Sequence, residues 1–238
     1  GGKVYAGKPM SKLEEHERLA AAGLPVPRTA RLSRDLVFDP AEWGEYVVVK
    51  PARGSFGRDV HLVPTADLAA RFDAVADPRG GVSVIQSFVE HVDAGGRPTT
   101  HRVLTMFGKA LYAIRSSWRE PRGPVAEAAH PGAVLAANSS ERERDREILD
   151  DPQIVALAER AATAVPDVPV LGVDIIRETG TGKLWIVELN ASGTVWHLSS
   201  ETGKTRYPAT FRRKLYRQFN ALDRAADLLI ERTRAEAR

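Results

Sequence analysis

Residues 171–190 read LGVDIIRETGTGKLWIVELN, and this stretch decides the fold. Two runs of strand-forming residues flank Thr179-Gly180-Thr181-Gly182-Lys183, a turn-rich segment that predicts a β-hairpin with a longer loop. Centred on Thr181, the hairpin sets Asp174 directly opposite Glu188. Side chains alternate faces along a strand, so Glu188 and Asn190 share one face and Asp174 joins them. Three hard oxygen donors on one sheet face suit Mg²⁺ bound together with substrate phosphates. A half-buried strand with a polar solvent face is the plainer reading, and Leu184, Ile186 and Leu189 fit it. Trp185 and Val187 weigh against it, because they make the segment apolar on both faces and a buried carboxylate needs a partner.

The 238 residues suit one enzyme core of one or two lobes, and 43% hydrophobic content is enough for a real core. A net charge of +3 and a pI near 9.3 suit an anionic substrate but give no argument for nucleic acid, which is not expected as a partner. No apolar run reaches the ~18 residues a membrane span needs. No signal-peptide pattern is present, and a cytoplasmic location is the default expectation. The absence of cysteine excludes disulfides and a thiol nucleophile. A homo-oligomer is compatible with the sequence.

Outward from the hairpin, Ser11-Lys12-Leu13-Glu14 reads as a capping box opening a helix to Gly23. Tyr46 to Lys50 predicts a strand, Gly54-Ser55-Phe56-Gly57 a loop, and Val60 to Val63 a second strand. Thr65 is expected to cap a helix through Ala76. Val82 to Val89, Arg102 to Phe107 and Ala110 to Arg115 predict further strands. Residues 120–140 read as a long irregular segment and 141–165 as helical, broken near Pro152. The chain ends in one predicted helix with Phe211, Leu215, Phe219, Leu222 and Leu229 on a stripe. The fold class is α+β, verging on α/β. The lobe boundary is expected near 81–85, giving an N-terminal lobe of residues 1–85 and a C-terminal lobe of residues 86–238.

Several residues carry two readings. Small residues let the 54–57 backbone approach phosphates, though such a loop alone is more often a plain hairpin turn. Lys50, ending the strand before it, can reach the same phosphates. Lys12 is ordinarily a surface lysine, yet at a helix N-terminus a cation is unfavourable unless an anion sits there. Gln86-Ser87-Phe88-Val89-Glu90 reads first as a core strand reaching a loop, and second as a hinge whose backbone reads adenine. Arg102 and Arg115 are either solvated or converge to clamp a carboxylate or acyl phosphate. The sign-alternating run Glu141 to Glu147 reads as a solvated helix face. His197 reads as a structural histidine or a substrate contact. Trp118, Trp196 and His197 are candidates to line an acceptor pocket.

In this order, SKLEEHERLAAAGLPVP, VVVKPARGSFGRDV, VIQSFVE and LGVDIIRETGTGKLWIVELNASG resemble the ATP-grasp superfamily, in the style of its ribosomal-protein glutamate ligase and glutathione synthetase-like branch. The resemblance covers nearly the whole chain. It implies two lobes with ATP held between antiparallel sheets, and an ATP- and Mg²⁺-dependent carboxylate–amine ligase working through an acyl phosphate, with Mn²⁺ as the alternative ion. The partners implied are a small-molecule acid and an amine or peptide. A phosphotransferase acting on an anionic small molecule is the alternative activity. Lys12 and Lys50 would hold phosphates under Gly54, Ser55, Phe56 and Gly57. Gln86, Ser87, Phe88 and Val89 would form the adenine hinge. Asp174, Glu188 and Asn190 would bind metal. Arg102, Arg115 and Asn138 would serve catalysis. The sequence departs from the family pattern at Ser87, Thr100 and Ala136, so Glu90 or Asp93 becomes the candidate ribose contact. Related enzymes carry a further N-terminal domain that helps bind substrate, expected here to be missing or vestigial.

Overall fold

Ser11 opens the first helix reciprocally: its Oγ accepts from Glu14 N–H at 3.3 Å while Glu14 Oε2 accepts from Ser11 N–H at 2.6 Å. Helix α1 (Lys12–Ala21) follows in a computed structural model that describes residues 10–54, 59–128, 144–191 and 195–237. The fold is α+β, with two antiparallel sheets and helices packed on them.

The first sheet holds β1 (Thr29–Arg31), β2 (Tyr46–Pro51), β3 (His61–Pro64) and β4 (Ser83–Ser87) in the order β1-β4-β2-β3. Alternation along β2 buries Val47 and Val49 with Trp43, Val63, Leu68 and Ile85 in its core. Trp43 comes from α2 (Pro40–Trp43), which Asp39 caps through Ala41 N–H at 2.8 Å. Leu68 opens α3 (Leu68–Val75). Thr65 does not cap that helix as expected. A 3₁₀ turn over Thr65–Asp67 intervenes, and Thr65 Oγ1 donates to the Gly44 carbonyl instead.

The second sheet holds β5 (Thr99–Met106), β6 (Lys109–Trp118), β7 (Arg144–Ile148), β8 (Val170–Arg177) and β9 (Leu184–Asn190) in the order β7-β6-β5-β8-β9. The short helix α4 (Val125–Ala128) precedes β7, and α5 (Pro152–Thr163) follows it. One sheet face buries Val103, Ala113, Val173, Ile175 and Ile186 against α5 and against Leu19 of α1. The opposite face buries Leu104, Tyr112 and Ile114 against the C-terminal segment, which forms α6 (Glu201–Arg206), α7 (Ala209–Gln218) and α8 (Ala221–Glu236).

Two sequence expectations are corrected here. Residues 144–148 form a strand, because their charge alternation has period two, the period of a strand with unlike faces. The terminal stripe is split between two helices, broken where Asn220 adopts φ 49°. Leu215 is buried on α7, whereas Leu222 and Leu229 on α8 are 46% and 48% exposed.

Candidate functional site

The register of the decisive hairpin is Asp174 opposite Glu188 and Gly172 opposite Asn190, so Asp174, Glu188 and Asn190 occupy one face. It is reached by a different route from a regular hairpin. The strands leave the turn paired Arg177 to Leu184 and Ile175 to Ile186, and the register then shifts by one before Asp174. Val187 is the extra residue of this bulge. Its carbonyl accepts from His16 Nε2 at 3.2 Å, and the Leu189 N–H donates to Glu15 Oε2 at 3.1 Å. Helix α1 thereby covers the outer edge of β9 and fixes the strand that carries Glu188 and Asn190.

Asp174 is gripped from the neighbouring strand. Arg102, opposite it on β5, donates Nε to Oδ1 and Nη2 to Oδ2, both at 2.6 Å. Asn190 Nδ2 donates to Oδ2 at 3.0 Å. Burial works against the Arg102 charge, but the Asp174 carboxylate more than offsets it and holds the guanidinium above its ordinary value. Among the described residues, no group of three or more His, Cys, Asp or Glu side chains gathers to hold a metal. Two carboxylates and an amide oxygen still fit a hard cation that takes its other ligands from phosphates and water. Lys12 and Arg102 presently balance the two carboxylate charges.

Lys12 joins three elements. Its Nζ lies 3.2 Å from Glu188 Oε1 and donates to the Gly54 carbonyl at 2.9 Å, and its N–H donates to the Ala52 carbonyl at 2.9 Å. Glu188 is therefore an anion beside the helix N-terminus, which accounts for a lysine there. Lys50 is buried and donates to Gln86 Oε1 at 3.0 Å. Burial pushes its ammonium down to about 8. Gln86 turns its other end to His16 Nε2, 3.0 Å away, so this side chain orients Lys50. Glu15 and His16 were not singled out in the sequence. Burial pushes Glu15 up to about 7 and holds His16 down to about 3. They are adjacent in a helix of charged residues, and adjacency gives no sign that both are buried.

The hinge candidates lie at the end of β4. Ser87 N–H donates to the Arg28 carbonyl and Phe88 N–H to the Tyr46 carbonyl, so both extend the sheet. The Val89 carbonyl accepts from His91 Nδ1 at 2.8 Å. The ribose candidates are engaged: Glu90 pairs with Arg122, and Asp93 takes Arg97 at 2.7 Å. Ser55, Phe56, Gly57 and Asn138 lie outside the described residues.

Arg102 and Arg115 do not converge, which corrects the clamp expected of them. Arg115 stands opposite His101, one residue out of step with Arg102, and so faces the other side of the sheet. There it meets Glu147 at 3.0 Å and Asp93 at 3.5 Å. Arg144 and Arg146 lie on the Arg102 side instead, since Arg144 pairs with Trp118, Arg146 with Ser116 and Ile148 with Ile114, which itself opposes Arg102. Period-two alternation was the signal that could have found them. His197 is buried, 3.1 Å from the Tyr112 hydroxyl, stacked on Tyr112 and edge-on to Tyr207. It belongs to the packing behind the site. Trp118 is also buried, while Trp196 is partly buried and donates to Ser199 Oγ at 2.9 Å.

No known family's sequence profile matches the chain, and no curated protein sequence does. Solved structures do. The D-alanine–D-alanine ligase of Bacillus anthracis superposes with a TM-score of 0.61 at 18% identity, over 95% of this chain and 69% of that one. The D-cycloserine synthetase DcsG gives 0.60 at 20%, over 87% and 70%. The ATP-grasp ligase PsnB, in complex with a minimal precursor, gives 0.51 at 22%, over 77% and 53%. The chain thus spans about half the length of PsnB. At these identities the likeness establishes the fold, which is that of ATP-grasp ligases.

Proposed function

We propose that this ATP-grasp chain is an ATP- and Mg²⁺-dependent carboxylate–amine ligase working through an acyl phosphate. The observation that carries the reading is Lys12, which ties the start of the glycine loop at Gly54 to Glu188 on the face shared with Asp174 and Asn190. Phosphates held between loop and strand would meet Lys12 from α1 and Lys50 from β2. Similar solved structures include the D-alanine–D-alanine ligase complexed with ATP and PsnB complexed with Mg and ADP.

The substrate carboxylate attacks the γ-phosphorus, the bond to the β,γ-bridging oxygen breaks, and ADP leaves. The amine then adds to the acyl carbon, loses a proton and expels phosphate. This chemistry asks for positioning and charge neutralisation, with no covalent nucleophile on the protein. Lys12 and Lys50 would hold the phosphates, and Arg102 would neutralise the transferring group from beside Asp174. Asp174, Glu188 and Asn190 would hold Mg²⁺, which when bound offsets charge on the phosphate oxygens. With the Ser87 and Phe88 N–H groups committed, the adenine edge falls to the Val89 end of β4. The lobes would divide beyond β4, past the 81–85 boundary expected from the sequence, between the sheet bearing Lys50 and the sheet bearing the metal residues.

Calorimetry with Mg·ATP and an ADP-release screen of amino acids and short peptides test the reading. Binding followed by acid- and amine-dependent ADP and phosphate release is expected. Absence of Mg·ATP binding by folded protein rejects it. A stable phosphorylated product would identify a kinase.

A further inference from the structure

Helix α1 turns one stripe inward. Lys12, Glu15, His16 and Leu19 have the spacing that stacks side chains on one helix face, and Glu15, His16 and Leu19 are buried. Lys12 and Glu15 reach β9. His16 also reaches the other sheet. Its ring nitrogens Nε2 and Nδ1 lie 3.0 Å and 3.5 Å from Gln86 Nε2. A neutral imidazole keeps a lone pair on one of its nitrogens, so either tautomer can accept from that NH₂ group. Thr29 Oγ1 accepts from the same group at 3.1 Å, since its own hydrogen goes to the Pro27 carbonyl at 3.0 Å. Acceptors gathered at one end decide which way the Gln86 amide points. Its Oε1 is left for Lys50, whose Nζ donates to it at 3.0 Å. Lys50 pairs with Val84 and Gln86 with Val48, so the two side chains are diagonal neighbours on one sheet face. Lys50, Gln86 and His16 are all buried, which leaves each polar atom few partners to choose from.

We propose that His16 is a positioning residue for Lys50, acting through Gln86. The proposal deepens the ligase reading and rests on it for the phosphates that Lys50 meets. Without the His16 lone pair the Gln86 NH₂ group is free to turn, and a turned amide sets hydrogens against the Lys50 ammonium, donor against donor. With it, the ammonium is held in one place before nucleotide arrives, and the rotamer freedom of a long flexible stem is not lost again on binding. Helix α1 thus serves both phosphate lysines. It carries Lys12 to the glycine loop and sets Lys50 from inside the fold.

Calorimetry of Mg·ATP binding to wild type, His16→Leu, His16→Gln, Lys50→Met and the double variant His16→Leu with Lys50→Met tests this. His16→Leu is expected to weaken binding about fivefold to tenfold, and His16→Gln, whose Oε1 can accept from the Gln86 NH₂ group, to stay within about twofold of wild type. In the Lys50→Met background, His16→Leu should change affinity by less than about twofold, because no ammonium is left to position. A role confined to packing predicts equal losses in both backgrounds, and that result overturns the proposal. Gln86→Met cuts the same chain of contacts and carries the test if His16→Leu does not fold. It should reproduce the loss, and wild-type affinity in Gln86→Met overturns the proposal. Nitrogen-edited NMR of the Lys50 ammonium in nucleotide-free protein at pH 6 reads the positioning by itself. The signal should broaden in His16→Leu and Gln86→Met and persist in His16→Gln. That pattern in a wild type that binds no Mg·ATP supports the positioning and overturns the ligase reading. A signal identical in wild type and His16→Leu overturns the positioning.

Discussion

Arg102 and Asp174 face each other across β5 and β8 and share two hydrogen bonds of 2.6 Å. The carboxylate proposed as a metal ligand is thus already held by the cation proposed to stabilise phosphoryl transfer. The two roles are compatible if metal and nucleotide arrive together, since Arg102 can turn from Asp174 to a phosphate as the ion takes its place.

Arg102→Ala separates these functions. Asp174 then lacks its competing cation, and Mg²⁺ alone should bind more tightly, by roughly 1 kcal/mol or about fivefold. Turnover should fall about 100-fold or more, because a charge aimed at the transferring group is gone. Titration with Mg²⁺ in the absence of nucleotide, followed by kinetics, reads both. Unchanged Mg²⁺ affinity would remove Asp174 from the metal set.

Lys12→Met should weaken ATP by roughly 2 kcal/mol, about thirtyfold, while costing less than about 1 kcal/mol of stability. Its ion pair with Glu188 is partly open to solvent, at 13% and 24% side-chain exposure, so the pair itself contributes little to folding. Calorimetry and thermal melts together decide. A large drop in Tm with unchanged ATP affinity would make Lys12 a structural bolt between α1 and β9.

The sequence is legible here where a local pattern and a tertiary contact agree. The Ser11 capping box, strand β2 and the pairing of Asp174 with Glu188 are all found as read. The last holds through a bulge at Val187 that no turn rule foresees, because α1 supplies Glu15 and His16 to the strand edge. At Arg144 to Glu147, sign alternation fits both a solvated helix face and a strand with unlike faces, and only its period of two separates them. Arg102 and Arg115 lie on neighbouring strands, which alone does not make them converge. Facing depends on the exact register, and Arg115 is one residue out of step. Gln86 read as part of the hinge, yet only the tertiary fold reveals that it orients Lys50.

Lys50 gives the nucleotide step a pH dependence. Burial lowers its ammonium to about 8 before any anion is present. A phosphate beside it favours the charged form, so binding raises this value and takes up a proton. ATP affinity should be full below pH 8 and fall as pH rises through about 8 toward the bound-state value. Titrations at pH 8 in two buffers of different ionisation heat measure the proton uptake directly. Zero uptake would show that Lys50 does not meet the phosphates.

Buried histidines set the acid limit of stability. Burial lowers His101 to about 4 and His16 to about 3, below the unfolded value of about 6.5. The unfolded chain therefore binds more protons in this window, and stability falls as pH drops from about 6.5 to 4. Glu15 acts oppositely. Raised to about 7, it binds a proton more readily when folded, and its contribution is lost as pH rises from about 4.5 to 7. His101→Asn should flatten the acid side by roughly 1–3 kcal/mol, and Glu15→Gln should steepen it. Urea unfolding at pH 4.5, 5.5 and 7 tests both signs. Identical pH profiles for His101→Asn and wild type would reject the assignment.

Gly203 offers a lever on the packing behind the site alone. It is buried in α6, its N–H donates to the Ser200 Oγ at 3.1 Å, and a Cβ there would stand 2.2 Å from the His197 carbonyl oxygen. That neighbour is backbone, so it cannot rotate away, and the helix must move. Gly203→Ala should therefore cost about 1–3 kcal/mol and displace both the His197 packing against Tyr112 and Tyr207 and the guanidinium of Arg206. The nucleotide residues Lys12 and Lys50 lie on other elements and should be spared. The expected outcome is a lowered Tm and Mg·ATP affinity within about twofold of wild type below that Tm. Gly203→Ala protein with an unchanged Tm would show that α6 shifts without disturbing the His197 packing.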